Sequence, residues 1–354
     1  MAIDPAVIEE VIEQQSAAPS FSGVVLVREN GKKVFGRAYG LARRAESIPN
    51  TPGTRFAIAS GSKIFTSVAV CQMVERGLLA FEDCLTDCLD IDFPPFDKRI
   101  TVHQLLTHSS GIPDYFDEEV NDDYEALWKE RPMYAMREVK DFLPMFQGQP
   151  MKFTPGKRFL YNNAGFIVLG LIVEQHAKMP FIDYIQEHIL APCSMTESGY
   201  FATDRLPERT ACGYIEDVSR GGWRTNFFAV PIVGGPDGGA YTTAKDMSKF
   251  WSALFDRRLL SDQLTRQLLY PHLAATSEGE NIWYGYGVWI TMRDNDVASY
   301  YVTGWDPGVA FISRVFPGSK IEVTLLANAN RPAFDIYRAV IRAIEDNCGA
   351  PTSF

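Results

Sequence analysis

Strand-like sequence is confined to the two ends of this 354-residue chain, and that distribution restricts the fold more than any other feature. Near the start, Val24, Val25, Leu26 and Val27 lead into Glu29-Asn30-Gly31-Lys32, and Val34 and Phe35 follow. Asn-Gly between β-branched runs suits a two-residue turn with positive φ, so this stretch reads as a hairpin. Near the end, residues 286–291, 299–302, 309–316 and 321–327 read as strands, with Pro317-Gly318 as the turn between the last two. Helical spacing dominates elsewhere. A stripe of Val7, Ile8, Val11 and Ile12 marks a helix over 3–15, and a long helix runs from Ser60 to a stop at Gly77. Further helices are expected over 102–106, 123–129, 136–146, 166–176, 181–189, 246–255 and 262–269, and an amphipathic one closes the chain over 334–345.

If both strand groups share one sheet, the chain ends meet and the middle becomes an insertion on one side. The expected fold is α+β: an antiparallel sheet flanked by the terminal helices, plus a mainly helical subdomain. The whole of 1–354 would form one module, with an α/β subdomain over about 1–60 plus 235–354 and a helical subdomain over about 61–234.

Composition removes several function classes. Hydrophobic residues at 46% and charged residues at 22% describe a packed globular chain rather than a disordered one. A formal charge of −10 with no long Lys/Arg block makes nucleic acid an unsuitable partner. No apolar stretch is long enough for a transmembrane span. Residues 1–15 carry Asp4, Glu9, Glu10 and Glu13 and lack the pattern of a secretory leader. The sequence as it stands is thus expected in the cytoplasm, or in the periplasm or outside the cell if a leader has been removed. Cys71, Cys84, Cys88, Cys193, Cys212 and Cys348 are dispersed, which favours reduced thiols over a disulfide framework, and no metal site is expected of them.

The strongest chemical signal is Ser60-Gly61-Ser62-Lys63, the single Ser-x-x-Lys of the chain. Three residues apart at a helix start, the hydroxyl and the amine share a face. The positive end of the helix and burial among Phe56, Ile58, Ile64 and Phe65 both disfavour the ammonium form. A neutral amine can take the serine proton, and the Ser60 amide points out of the first turn, where it can hold an oxyanion. A capping serine beside a surface lysine would explain the pair taken alone. A second signal is Tyr161-Asn162-Asn163, between Thr154-Pro155-Gly156 and an apolar helix. Its phenol could move a proton between nucleophile and leaving group, and an amide two residues on could hold Lys63 and the substrate carbonyl. Read alone, it is a turn with asparagines capping the next helix. The third is Tyr301-Val302-Thr303-Gly304-Trp305-Asp306-Pro307-Gly308, a strand end whose glycine admits a substrate backbone closely.

Together and in this order, the three pieces resemble the serine β-lactamase and penicillin-binding-protein superfamily. The resemblance is closest to the class C β-lactamase-related branch, which also holds D-alanyl-D-alanine carboxypeptidases, D-aminopeptidases and esterases. Residues 101–112, Thr-Val-His-Gln-Leu-Leu-Thr-His-Ser-Ser-Gly-Ile, and residues 238–246, Gly-Gly-Ala-Tyr-Thr-Thr-Ala-Lys-Asp, are similar to other stretches of that branch. The resemblance runs from about Gly23 to Asn330. It implies Ser60 as acyl-forming nucleophile, Lys63 as its proton acceptor and Tyr161 as a second acid/base. Asn163 would orient Lys63 and the acyl group. The amides of Ser60 and Trp305 would form the oxyanion hole, with Tyr115, Asn163, Val302, Thr303, Gly304 and Trp305 along the substrate cleft.

The sequence departs from that pattern at Val302, where the third motif usually opens with Lys or His. A cation there would hold a substrate carboxylate by a charge-assisted bond, and valine cannot. Thr303 still offers a hydroxyl, and the bulk of Trp305 suggests an apolar acyl pocket. The implied activity is a cofactor-free serine hydrolase acting on a small ester, amide or peptide with an uncharged acyl group: an esterase, D-amino-acid amidase or peptidase, or weak β-lactamase. The alternative is a slow penicillin-binding or sensor protein of the same fold. A triad hydrolase using His108 is disfavoured, because the chain has no Gly-x-Ser-x-Gly elbow. The oligomeric state is left open.

Overall fold

The structure, a computed structural model, describes residues 3–15, 20–217, 221–275 and 281–348. Both strand groups enter one sheet of eight strands. These are β1 (Gly23–Glu29), β2 (Lys32–Tyr39), β3 (Leu273–Ala274), β4 (Ile282–Tyr284), β5 (Trp289–Arg293), β6 (Asp296–Asp306), β7 (Val309–Phe316) and β8 (Ile321–Ala327). Their order is β2-β1-β8-β7-β6-β5-β4-β3, and every pairing is antiparallel. The N-terminal hairpin therefore completes the sheet beside the last strand, in a register running from Gly23 opposite Ala327 to Glu29 opposite Ile321. Every residue of β8 is buried, as expected for a strand covered on both faces.

Strand alternation sends successive side chains to opposite faces, and the two faces have separate cores. Val25 and Val27 of β1 and Val323 and Leu325 of β8 face helices α1 (Pro5–Gln15) and α5 (Ala333–Cys348). Val24 and Leu326 face the larger core, which contains α2 (Lys63–Glu75), α3 (Asn163–Ala177) and α4 (Ala244–Phe255). The first eleven residues of α3 are all buried, so this helix runs through the helical part rather than over it.

Several elements differ from the sequence reading. The run over 286–291 is not one strand. β4 and β5 meet through a turn at residues 285–288, where Gly287 has φ 70° and a Cβ would lie 2.3 Å from Ser67 Oγ. Tyr286 leaves the sheet there and is fully buried. Residues 136–146 form a 3₁₀ helix over Val139–Met145 instead of an α-helix, with Pro144 inside it unable to donate an amide. The segment over 123–129 is 3₁₀ at Tyr124–Ala126 before one α turn at Leu127–Glu130. Tyr214–Asp217 and Gly222–Thr225 pair as a small ribbon, anchored by the buried Tyr214, within the stretch read as helical. Cys71, Cys84, Cys88, Cys193 and Cys212 are free thiols; the Cys348 side chain lies outside the described residues. Among the described residues no single helix is long and apolar enough to cross a membrane.

Candidate active site

Ser60 does not open an α-helix. It sits in a 3₁₀ turn, Ala59–Ser62, that runs into α2 at Lys63. The turn begins with Ala59 at φ 44°, a left-handed conformation costing an L-residue about 1–2 kcal/mol. Three bonds hold it there. The Ala59 carbonyl accepts from Ser62 Oγ at 2.8 Å and from the Gly239 amide at 3.1 Å, and Ser62 Oγ accepts from the Ala240 amide at 3.0 Å. The Gly-Gly-Ala stretch at 238–240 is thus a clamp on the residue before Ser60. On the other side the turn lies flat on the sheet. A Cβ on Gly61 would fall 2.3 Å from the Phe311 ring, and one on Gly304 would fall 2.1 Å from the Ile58 carbonyl and 2.9 Å from the Ser60 amide nitrogen. The backbone of β6 at Gly304 and Trp305 therefore runs directly beside the Ser60 backbone.

Lys63 is 1% exposed, and its Nζ reaches three oxygens: Ser60 Oγ at 3.0 Å, Asn163 Oδ1 at 2.8 Å and the Asp237 carbonyl at 2.5 Å. Burial pushes its pKa below the ordinary lysine value, while Asp237 first, then Glu118, Asp114 and Asp306, pull it back up. A neutral amine has two N–H groups and one lone pair. Asn163 Oδ1 and the Asp237 carbonyl can accept only, so they take the two N–H groups. The lone pair is left for the Ser60 hydroxyl.

Asn163 is oriented by Asp114, a residue the sequence did not single out. The amides of Asn163 and Ala164, the first two of α3, donate to Asp114 at 2.7 and 3.0 Å, and Asn163 Nδ2 donates to the same carboxylate at 3.3 Å. The carboxylate caps the helix and turns the Asn163 carbonyl oxygen toward Lys63. Asn162 is the capping residue its sequence context suggested, its Oδ1 accepting from the Gly165 amide at 2.7 Å. Asp237 was also missed. Besides holding Lys63 through its carbonyl, it accepts a short hydrogen bond from the Tyr115 phenol.

The Tyr161 ring lies with its centroid 5.0 Å from Lys63 Nζ, between Trp289, stacked at 6.0 Å, and His108 at 4.5 Å. Burial drives its pKa well above the ordinary phenol value, and a hydrogen bond with Ser60 works in the opposite direction. Burial thus keeps the phenol protonated, so it is a proton donor rather than a resident base. His108 is buried behind it, its pKa pushed well down by burial and by Lys63, with Nδ1 accepting from the Asn162 amide at 3.1 Å.

A cavity of about 520 Å³ opens over these groups, lined by Ser60, Tyr115, Tyr161, Asn163, Thr303, Gly304 and Trp305 among others. Two expectations need correction. Val302 is not a cleft residue: it lies on the same face of β6 as Gly304, but it is 2% exposed and covered by the side chains of the larger core. The Trp305 side chain is 53% exposed, so it stands at the rim and does not fill an acyl pocket. The Thr303 hydroxyl is engaged with the Phe311 carbonyl at 2.9 Å.

Comparison with known proteins agrees with this fold. The family model described as Beta-lactamase matches residues 8–345. Penicillin-binding protein 4* of Bacillus subtilis (strain 168) is 26% identical over 351 residues, which cover 96% of this chain and 74% of that protein. The crystal structure of a penicillin binding protein from Bacillus halodurans superposes with a TM-score of 0.89 at 47% identity, covering 95% of this chain and 99% of that one. A D-amino acid amidase from Ochrobactrum anthropi SV3, complexed with D-phenylalanine, shares the fold at 21% identity, with a TM-score of 0.78 and coverage of 97% and 99%.

Proposed function

The chain belongs to the beta-lactamase family, and from that premise we propose that it is a serine hydrolase working through an acyl-enzyme on Ser60. Neutral Lys63 accepts the Ser60 proton while Oγ attacks the carbonyl carbon of an ester or amide. The amides of Ser60 and Trp305 hold the resulting oxyanion. Tyr161 passes a proton to the leaving group as the tetrahedral intermediate collapses, and is reprotonated from Lys63. Water then attacks the acyl group, giving its proton to the same pair, and free Ser60 returns. Asn163 keeps Lys63 in place throughout, and Tyr115 forms part of the cleft wall.

One observation carries the reading: an amine 3.0 Å from Ser60 Oγ whose two other contacts are acceptor-only oxygens. The experiment is labelling with a fluorophosphonate followed by peptide mapping, alongside hydrolysis of p-nitrophenyl esters, D-amino-acid amides and a chromogenic cephalosporin. The expected result is a label on Ser60, turnover of at least one ester or amide, and loss of both in Ser60→Ala. A wild-type protein that takes no label at Ser60 and turns over none of these substrates refutes the proposal.

A second reading, a slow penicillin-binding or sensor protein, is favoured by the valine where the family's third motif usually places a cation. Intact-mass measurement after mixing with penicillin separates the two. A lasting adduct without turnover supports the sensor, and rapid return of free protein supports the hydrolase.

A further inference from the structure

Residues 234–239, Gly-Gly-Pro-Asp-Gly-Gly, form a tight turn beside Lys63. Gly235 and Gly238 close it, each amide donating to the other's carbonyl, at 2.7 and 3.2 Å. Both central helices hold it from outside. The Pro236 carbonyl accepts from Thr66 Oγ1 of α2 at 2.5 Å, and the Pro236 ring sits so close to α3 that a Cβ on Gly170 would lie 2.0 Å from its Cγ. The backbone of Asp237 is therefore fixed, with its carbonyl on Lys63 Nζ at 2.5 Å. Every residue type has a carbonyl, so that bond does not require an aspartate. The side chain adds something else. Asp237 is 7% exposed, and among the described residues the one side chain that donates to its carboxylate is the Tyr115 phenol, also 7% exposed. One neutral donor leaves a buried carboxylate under-compensated. Burial pushes Asp237 above the ordinary aspartate value, and Lys63 first, then Tyr115, hold it down. The other groups around Lys63 are engaged differently. Asp114 is occupied by the cap of α3 and by Asn163 Nδ2, Glu118 and Asp306 line the open cavity, and burial keeps Tyr161 protonated and His108 neutral.

We propose that Asp237 is a positioning residue for the Ser60 reaction, its buried carboxylate, held by Tyr115, balancing the ammonium that Lys63 becomes when it takes the serine proton. This deepens, and rests on, the Ser60 acyl-enzyme reading. In the resting site Lys63 is neutral and the Asp237 carboxylate lacks a counter-charge. As Oγ attacks, the Oγ–H bond breaks and a third N–H bond forms on Nζ. The ammonium and the carboxylate then compensate each other, and Asp237 itself takes up no proton. That compensation exists after proton transfer and not before it, which is the condition for lowering a barrier. It also resolves a conflict in the design of the base. Burial alone would make Lys63 neutral but a poor proton acceptor, and a nearby carboxylate restores its basicity.

The test is the pH dependence of the second-order rate constant for fluorophosphonate labelling of Ser60, which reads activation of the nucleophile without deacylation. Asp237→Asn keeps the size of the side chain and an acceptor for Tyr115, and removes only the charge. Two changes are expected together. The acid limb, set by Lys63 losing its proton, should move to lower pH by about one unit or more, because the ammonium has lost its counter-charge. The plateau above that limb should fall by about three- to thirtyfold, because a less basic amine is a weaker general base. Damage to packing alone predicts a different pair: a slower reaction with the limb in place, or moved up toward the ordinary lysine value as water reaches Nζ. Asp237→Glu, which keeps the charge, should return the limb toward its wild-type position. If Asp237→Asn does not fold, Asp237→Ser removes the same charge and should move the limb the same way. A limb that stays in place or rises in the folded charge-removing variant overturns the proposal. Wild-type protein that takes no label at Ser60 at any pH places the fault in the acyl-enzyme reading, whereas labelling with an unmoved limb in the variant overturns the role of Asp237 alone.

Discussion

At the scale of single residues, everything turns on an amine that folding has buried. Lys63 loses solvation and gains three oxygen contacts, and the balance lowers its affinity for a proton. Attack by Ser60 needs the neutral amine, so kcat/KM for an uncharged substrate should rise with pH as Lys63 deprotonates and level off above that point. The midpoint should lie below the 10.5 of a free lysine, because burial lowers the folded-state value. Lys63→Met should erase this limb and cut kcat/KM by about 10²–10⁴, the usual contribution of a positioned base. The same variant should melt somewhat lower than wild type, since Asn163 Oδ1 and the Asp237 carbonyl lose their buried donor. A pH–rate profile and a thermal melt on both proteins check this; an active Lys63→Met would remove the amine from the mechanism. Ser60, Lys63, Tyr161 and Asn163 were legible because short-range spacing and chain order carry them. Asp114 and Asp237 were not. They meet Asn163 and Lys63 across 49 and 174 residues of chain, and nothing local distinguishes them from ordinary acidic positions. Val302 was identified by motif position, but position alone did not say that core side chains would cover it.

At the scale of elements, helical spacing from Ile64 onward located α2 but not how it begins. Alanine gives no sign of a positive φ, and the left-handed Ala59 exists because the glycines at 238–239 approach from a distant segment. The same limit applies to the run over 286–291, where alternation suggested one strand and the close approach of Gly287 to α2 makes a turn. Ser62 is the link between the turn and its clamp. It is fully buried, donates to the Ala59 carbonyl and accepts from the Ala240 amide. Ser62→Ala leaves that amide unpaired and should cost about 1–3 kcal/mol in urea-melt stability. It should also slow fluorophosphonate labelling of an intact Ser60, because the Ala59 conformation loses one of its two carbonyl donors. Stability lost with no change in labelling rate would show that the clamp supports the fold but does not set the nucleophile.

At the scale of the whole molecule, the sheet separates what stabilises from what reacts. The architecture was legible because strands at both chain ends can share a sheet only if the ends meet, and β1 does pair with β8 along its full length. That pairing creates two cores. One faces α1 and α5 and holds Ile8, Val25, Val27, Leu325 and Ile336. The other faces α2 and α3, and Lys63, Tyr161 and the cleft lie on its side. Ile8 is 1% exposed and packs behind the sheet, with β1 and β8 between it and the catalytic groups. Ile8→Ala should therefore cost about 2–5 kcal/mol of global stability by lost burial and a residual cavity. The cleft rests on the backbone clamp at 238–240 and on the Asp114 cap of α3, neither of which is built from residues of that core. In urea melts the midpoint should drop. Below the transition, kcat per labelled Ser60 should stay at the wild-type value. A fall in kcat matching the loss of stability would mean that the two faces act as one unit and that the rear core also sets the geometry around Lys63.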